Sequence, residues 1–292
     1  YDATMGLVEE ILLEPRWDEA EFDLRKQSTL SAIKQQEASP NAIATNAYNI
    51  LIYGEENIRS KNILGSEESV DLITLNDLKA YYEANIAPNI TTMHVVGDIS
   101  TDQVLGSLNS LESKWQAKEV TIPQYETPAP PSRSQVYFYD VPNAKQSVLR
   151  IGYPALAIND KDYYPATVMN YILGGGGFAS QLTQQLREGK GYTYGIRSGF
   201  SGGTEAGPFT ISSGVRTNVT YESAQLVKDI LANYADGYSD KDLETTKSFL
   251  IKSNARAFET AGSKLNMLQD MSTYGWKNDY VKDREKIVRE MT

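Results

Sequence analysis

The sequence predicts an α+β fold, a duplicated two-layer sandwich in which long helices pack on antiparallel sheet. Three observations carry that expectation. Strand-like runs come in pairs with long helical patterns segregated between them. Early segments recur late: LVEEIL at 7–12 answers LVKDIL at 226–231, and Trp17-Asp18, Phe22, Lys26 and Tyr53-Gly54 answer Tyr238-Ser239, Leu243, Lys247 and Tyr274-Gly275. VDLIT at 70–74 likewise answers the last residues, KIVREMT. The third observation is a proline-rich stretch, TIPQYETPAPPSR, whose repeated prolines hold a chain extended between domains.

Taken in order, apolar Leu7, Val8, Ile11 and Leu12 predict a short helix, and Asp18 caps a long one carrying Phe22, Lys26, Leu30 and Ile33. Pro40 interrupts it, and a further helix runs to Tyr53. Asp77 starts another helix, ITTMHVVGDI reads as a strand, and 102–115 is helical. Beyond the prolines, QVYFYDV and SVLRIGY form successive strands. A helix over 163–173 runs into glycines, a second covers 179–187, and strands TYGIRSGF and FTISSGVRT follow. Helices then start at Glu222 and Asp240, the second long, with Leu243, Leu250, Ala257, Ala261, Leu265 and Leu268 on one face. The expected division is 1–118 as the later half of a first domain, 119–132 as linker and 133–292 as a second domain. By the repeat, both copies are truncated. The first lacks what the second carries over 132–220, and the second lacks a counterpart of 77–100.

Composition narrows the chemistry. With 292 residues, 40% hydrophobic and 23% charged, the chain is globular and able to bury two cores. No apolar run approaches the roughly 20 residues of a spanning helix, so a soluble chain without a membrane span is expected. The compartment stays open between the bacterial periplasm and the cytoplasm. A formal net charge of −10 argues against nucleic acid as a partner and favours basic ligands. Zero cysteines exclude disulfides, thiol nucleophiles and thiolate metal sites. The one histidine, His94, lies in an apolar run and is read as structural. A histidine-based metal site would need a second imidazole, so no metal is expected in this chain.

The stretch LGGGGFASQLTQQLREGKGYTYGIRSGF (173–200) concentrates backbone freedom beside few ionisable groups. Phosphate binding is disfavoured, because the glycines follow a helix rather than a strand and GKGYT lacks P-loop spacing. Two readings stay open from the residues alone. In one, the glycines are a helix C-cap and hinge with solvated charges beside them. In the other, Arg187 and a tyrosine on the following strand form a donor pair for a carbonyl or oxyanion. A strand starting at Tyr192 would put Tyr192 and Tyr194 on one face.

This stretch resembles the second-domain signature of pitrilysin-type zinc peptidases, the inverzincins related to insulin-degrading enzyme and mitochondrial processing peptidase. There a leucine-glycine-glycine loop leads to a helix, an arginine and, seven positions on, a tyrosine, here Arg187 and Tyr194. NILIYGEENIRSKNILGSEESVDLITLNDLKAYYEANIAPNITTMHVVGDIS (49–100) is similar to the later half of that family's first domain, so the resemblance covers nearly the whole chain and implies a metallopeptidase-like sandwich.

The resemblance implies divided labour. Zinc is held in the family's first domain by an H-x-x-E-H helix and a downstream glutamate. The second domain closes over an extended peptide, Arg187 and Tyr194 binding its backbone and helping to stabilise the tetrahedral intermediate, while Gly174, Gly175, Gly176, Gly177 and Phe178 line the approach. The family's downstream carboxylates would fall at Arg25 and Ala32, neither of which ligates zinc. The chain is then expected to be a substrate-binding, non-catalytic portion, inactive alone, holding peptide or unfolded polypeptide for a zinc-bearing domain in cis or trans. The alternatives are a fragment of a competent zinc endopeptidase and a structural assembly subunit of the same fold.

Overall fold

The computed structural model describes residues 1–126 and 128–292, without the side chains of Ala255 and Ala257. The expected linker 119–132 therefore includes one residue, 127, outside the described set, and the placement of Ala257 on an apolar face also lies outside it. The chain divides into two compact units, Tyr1–Gln36 with Asn62–Tyr125, and Glu37–Lys61 with Glu126–Thr292.

Among its described residues the regular structure of the first unit is helical, with irregular segments between: α1 (Asp2–Leu13), most of α2 (Glu19–Glu37), α4 (Glu67–Leu72), α5 (Leu75–Asn85) and α6 (Thr101–Lys114). Capping explains the boundaries. The Asp18 carboxylate accepts from the Glu21 amide at 2.9 Å and starts α2. Thr74 and Asp77 close a reciprocal capping box, so α5 begins at Leu75 and Asp77 sits in its first turn rather than at its start. Ser66 and Ser69 do the same for α4, a helix the periodicity does not reveal. The Lys26 ammonium donates to the carbonyls of Asp71 at 2.6 Å and Ile73 at 3.0 Å, satisfying the C-terminal end of α4.

The segment ITTMHVVGDI is not a strand here. Residues 91–99 follow a 3₁₀ turn, Pro88–Ile90, without ladder pairing. Its β-branched residues have the propensity, but a strand needs a partner ladder, and the described residues of this unit form none.

The second unit holds the sheet. β1 (Gln146–Pro154), β2 (Thr193–Phe200) and β3 (Pro208–Arg216) are antiparallel in the order β1-β3-β2. Alternation sorts the two faces of β3. Phe209, Ile211, Ser213 and Val215 are buried on one face, while Thr210 and Ser212 are half-buried on the other. The buried face packs with Leu173, Leu182, Leu186, Ile196, Val227 and Ile230 into the core. Ile196 comes from β2, and the others come from the helical run starting with α7 (Tyr163–Asn170), from the helix after Ser180 and from α8 (Thr220–Ala232). Across the other face lies α3 (Pro40–Tyr53), whose Tyr48 hydroxyl meets the Thr210 hydroxyl at 2.8 Å. Gly152 on β1 admits that tyrosine, since a β-carbon there would lie 2.2 Å from its oxygen.

Two further expectations are corrected. QVYFYDV is unpaired, with Val136 97% exposed and Phe138 also exposed, so extended propensity again finds no ladder among the described residues. The long helix from Asp240 is two: α9 (Asp240–Ser253) ends in a 3₁₀ stretch, Asn254–Phe258, and α10 (Ala261–Tyr274) starts afresh behind Thr260, whose hydroxyl accepts from the Ser263 amide at 3.0 Å. α11 (Tyr280–Glu290) closes the chain, and the Lys247 ammonium on α9 donates to the Met291 carbonyl at 3.0 Å.

Candidate functional site

The stretch from 173 to 200 owes its shape to two widened helical turns. After α7 the backbone forms a π-helical turn, Tyr171–Gly175, closed by Gly176 N–H donating to the Tyr171 carbonyl at 2.8 Å. A 3₁₀ turn, Gly177–Ala179, follows, and Ser180 opens a second helix whose Thr183–Gly189 portion is again π-helical. Two of the four glycines are needed for distinct reasons. Gly174 lies against β2, where a β-carbon would sit 2.2 Å from Ser198 Oγ and 2.8 Å from the Ser198 nitrogen. Gly177 has φ +60°, the left-handed region that costs other residues energy.

Buried polar groups lock this loop to β2. Asn170 Nδ2 donates to the Ser198 carbonyl at 2.9 Å, and Ser198 Oγ donates back to Asn170 Oδ1 at 2.5 Å. The Thr183 hydroxyl donates to the Ile196 carbonyl and the Tyr163 hydroxyl to the Phe200 carbonyl, each at 3.3 Å. The carbonyls of alternate residues 196, 198 and 200 on this edge strand thus each have a side-chain donor, which blunts the edge against a further strand. Sequence reading passed over Asn170, although an asparagine inside the apolar run TVMNYIL is the signal for it.

The predicted site residues fall around this scaffold. The Arg187 guanidinium lies over the Phe178 ring, 4.4 Å from its centroid, and Nη1 is 3.3 Å from Glu188 Oε1. Phe178 itself is 66% exposed. Gly175 is exposed, and Gly176 and Gly177 are half-buried beside it. β2 begins at Thr193, so Tyr192 precedes the strand and does not share a strand face with Tyr194. Tyr194 lies in a β-bulge. Thr193 opposes Val215 and Ile196 opposes Ser213, so β2 spends one extra residue there. Hydroxyls pin the bulge. The Gly195 amide donates to Thr193 Oγ1 at 3.0 Å, Thr193 to the Gly214 carbonyl at 2.7 Å and Ser213 to the Gly195 carbonyl at 3.0 Å. The bulge holds the Tyr194 ring out, 89% exposed. The structure therefore joins Arg187 with Phe178, and the described contacts include none between Arg187 and Tyr194.

The chain as a whole is similar to known proteins. The profile of the peptidase M16 inactive domain matches residues 72–250. The chain belongs to that family. Among curated relatives, the "Uncharacterized zinc protease YmxG" of Bacillus subtilis is 25% identical over 98% of this chain and 67% of its own length. The "Non-peptidase homolog YmxG" of Helicobacter pylori is 28% identical over 91% of this chain and 61% of its own length, so the chain spans about two thirds of such relatives. The crystal structure of a peptidase M16 inactive domain from Pseudomonas fluorescens superposes with TM-score 0.87 at 26% identity, covering 99% of this chain and 69% of that one.

Zinc, which the M16 family implies, does not fit this chain's own donors. Catalytic zinc takes about three protein ligands. Here one histidine and no cysteine exist, and among the described residues no group of three or more His, Cys, Asp or Glu could hold a metal. Among the described residues, no helix is long and apolar enough to cross a membrane.

Proposed function

We propose that this M16 chain is the substrate-binding, non-catalytic portion of a pitrilysin-type zinc peptidase. It holds extended peptide and presents Arg187 and Tyr194 to a zinc-bearing domain of the same family in cis or trans. The observation that carries the reading is the Arg187–Phe178 stack beside the glycine loop. An aromatic face fixes the guanidinium plane without consuming its N–H donors, which suits it to a peptide carbonyl or a developing oxyanion. The bulge adds a phenol on a pinned backbone. Because the carbonyls of 196, 198 and 200 already have donors, these side chains rather than added sheet pairing make the contact. The designation of the Helicobacter pylori relative as a non-peptidase homolog points the same way.

The test is reconstitution with the zinc-bearing domain. Arg187→Ala and Tyr194→Phe should keep the melting temperature and lower peptide turnover about 10²-fold or more, the usual cost of removing one oxyanion donor. Full turnover in both variants would reject the assignment.

A further inference from the structure

The overall acidity of the chain predicts basic ligands, yet one face of the sheet is locally the reverse. On the face away from the core, strand register places Arg150 of β1 and Arg197 of β2 on either side of Ser212 of β3. Two rungs along, past Gly214, stands Arg216, roughly 13 Å from Ser212 at the rise of an extended strand. The strip of sheet between them, a trough walled on its β1 side by α3, carries Ser212 and Gly214 with arginine positions on either side. Tyr194 lies at its β2 border, in the bulge opposite Gly214.

None of the three arginines enters an ion pair among the described residues, although carboxylates outnumber cations 38 to 28 in the chain. Arg150 is the most telling. It is half-buried under α3, its one side-chain hydrogen bond among the described residues is a long 3.4 Å contact to Thr45 Oγ1, and burial lowers its pKa from the ordinary value. A desolvated cation without a counter-charge is costly, and an incoming anion relieves that cost. Like charges gathered on one rung also repel until something neutralises them.

We infer that this trough is a docking surface for an acidic polypeptide segment, whose carboxylates pair with Arg150, Arg197 and Arg216 while its backbone lies over Ser212 and Gly214. Gly214 adds no side chain to the floor, and planar guanidinium forks match carboxylates bidentately. The inference goes beyond the proposed function and uses neither Arg187 nor the Tyr194 hydroxyl.

The test is fluorescence anisotropy with the full chain and three labelled short peptides, glutamate-rich, glutamine-rich and lysine-rich, at low ionic strength. The glutamate-rich peptide should bind at least about tenfold tighter than the other two, with affinity falling as salt rises. Arg150→Gln with Arg197→Gln should erase that preference, and Arg197→Gln alone, on an exposed side chain, should weaken binding severalfold with the melting temperature kept. Lys286→Gln, a charge removed from α11, should change nothing. Equal affinity for all three peptides, or an unchanged glutamate preference in the arginine variants, or an equal loss in Lys286→Gln, overturns the inference. Arg187→Ala measured beside them separates the two proposals, since it should leave the glutamate preference intact whatever happens to turnover.

Discussion

The guanidinium of Arg187 rests 4.4 Å from the centre of the Phe178 ring, so the glycine loop and the helix that follows it share one exposed contact. An exposed cation–π pair contributes about 0.5–1 kcal/mol. Phe178→Ala should therefore barely move the melting temperature, while freeing Arg187 to sample several rotamers. Turnover in the reconstituted enzyme should drop severalfold, and Phe178→Tyr should restore it. A variant with unaltered turnover would show that the ring merely covers the surface.

Gly174 offers a sharper structural test. Alanine there places a methyl group in the space of Ser198 Oγ and against its backbone nitrogen, so loop or strand must shift, at a cost of about 1–3 kcal/mol. At Gly177 nothing lies within 4 Å, and the penalty is only that of φ +60°, about 1–2 kcal/mol. Denaturant melts should rank Gly174→Ala below Gly177→Ala. Ser198→Ala in the Gly174→Ala background should recover part of the loss by removing the nearer atom. A reversed order would mean that the loop does not pack on β2 as described.

Lys26 and Lys247, paired by the sequence repeat, make the same bond. Each ammonium donates at 3.0 Å to the carbonyl of the residue just beyond a helix, Ile73 after α4 and Met291 after α11. Shortly before these, Val70 and Val288 in the recurring segments are buried hydrophobics. Lys26→Met and Lys247→Met keep the aliphatic stem but leave a carbonyl without its donor. Because water reaches these carbonyls, each should cost about 0.5–1.5 kcal/mol in denaturant titrations. Loss in one variant only would argue against equivalent roles.

These pairs show what the sequence makes legible. Helices with local signals are readable: α2 from Asp18, α3 from Pro40 and α8 within two residues of its expected start at Glu222. What the sequence concealed depends on partners remote in the chain. ITTMHVVGDI and QVYFYDV have strand propensity, but pairing is decided by another segment. The Asp240 helix looked continuous because apolar spacing survives the break that Thr260 capping imposes. Arg187 and Tyr194 stood out from the residues around them. The bulge that aims Tyr194 comes from register against Ser213 and Val215, and the rung joining Arg150, Ser212 and Arg197 exists only once three strands are aligned.

Tyr234 carries a pH dependence whose sign is set by its surroundings. Its hydroxyl donates to the Met169 carbonyl at 2.5 Å, one residue before Asn170, and burial, with a smaller contribution from neighbouring Tyr238, pushes its pKa up to about 12 from 10.0. The folded state thus holds this proton more tightly than the unfolded chain. Its contribution to stability is complete below pH 10 and is lost as pH rises through about 12. Tyr234→Phe cannot ionise and loses the hydrogen bond, so it should be less stable than the parent at pH 8 by about 0.5–1.5 kcal/mol. As pH rises toward 12 the gap should close, because only the parent loses this contribution. Parallel denaturant titrations at stepped pH would read the convergence directly, and a gap that stayed constant up to pH 12 would show that the Tyr234 proton is no more tightly held in the folded protein than in the unfolded one.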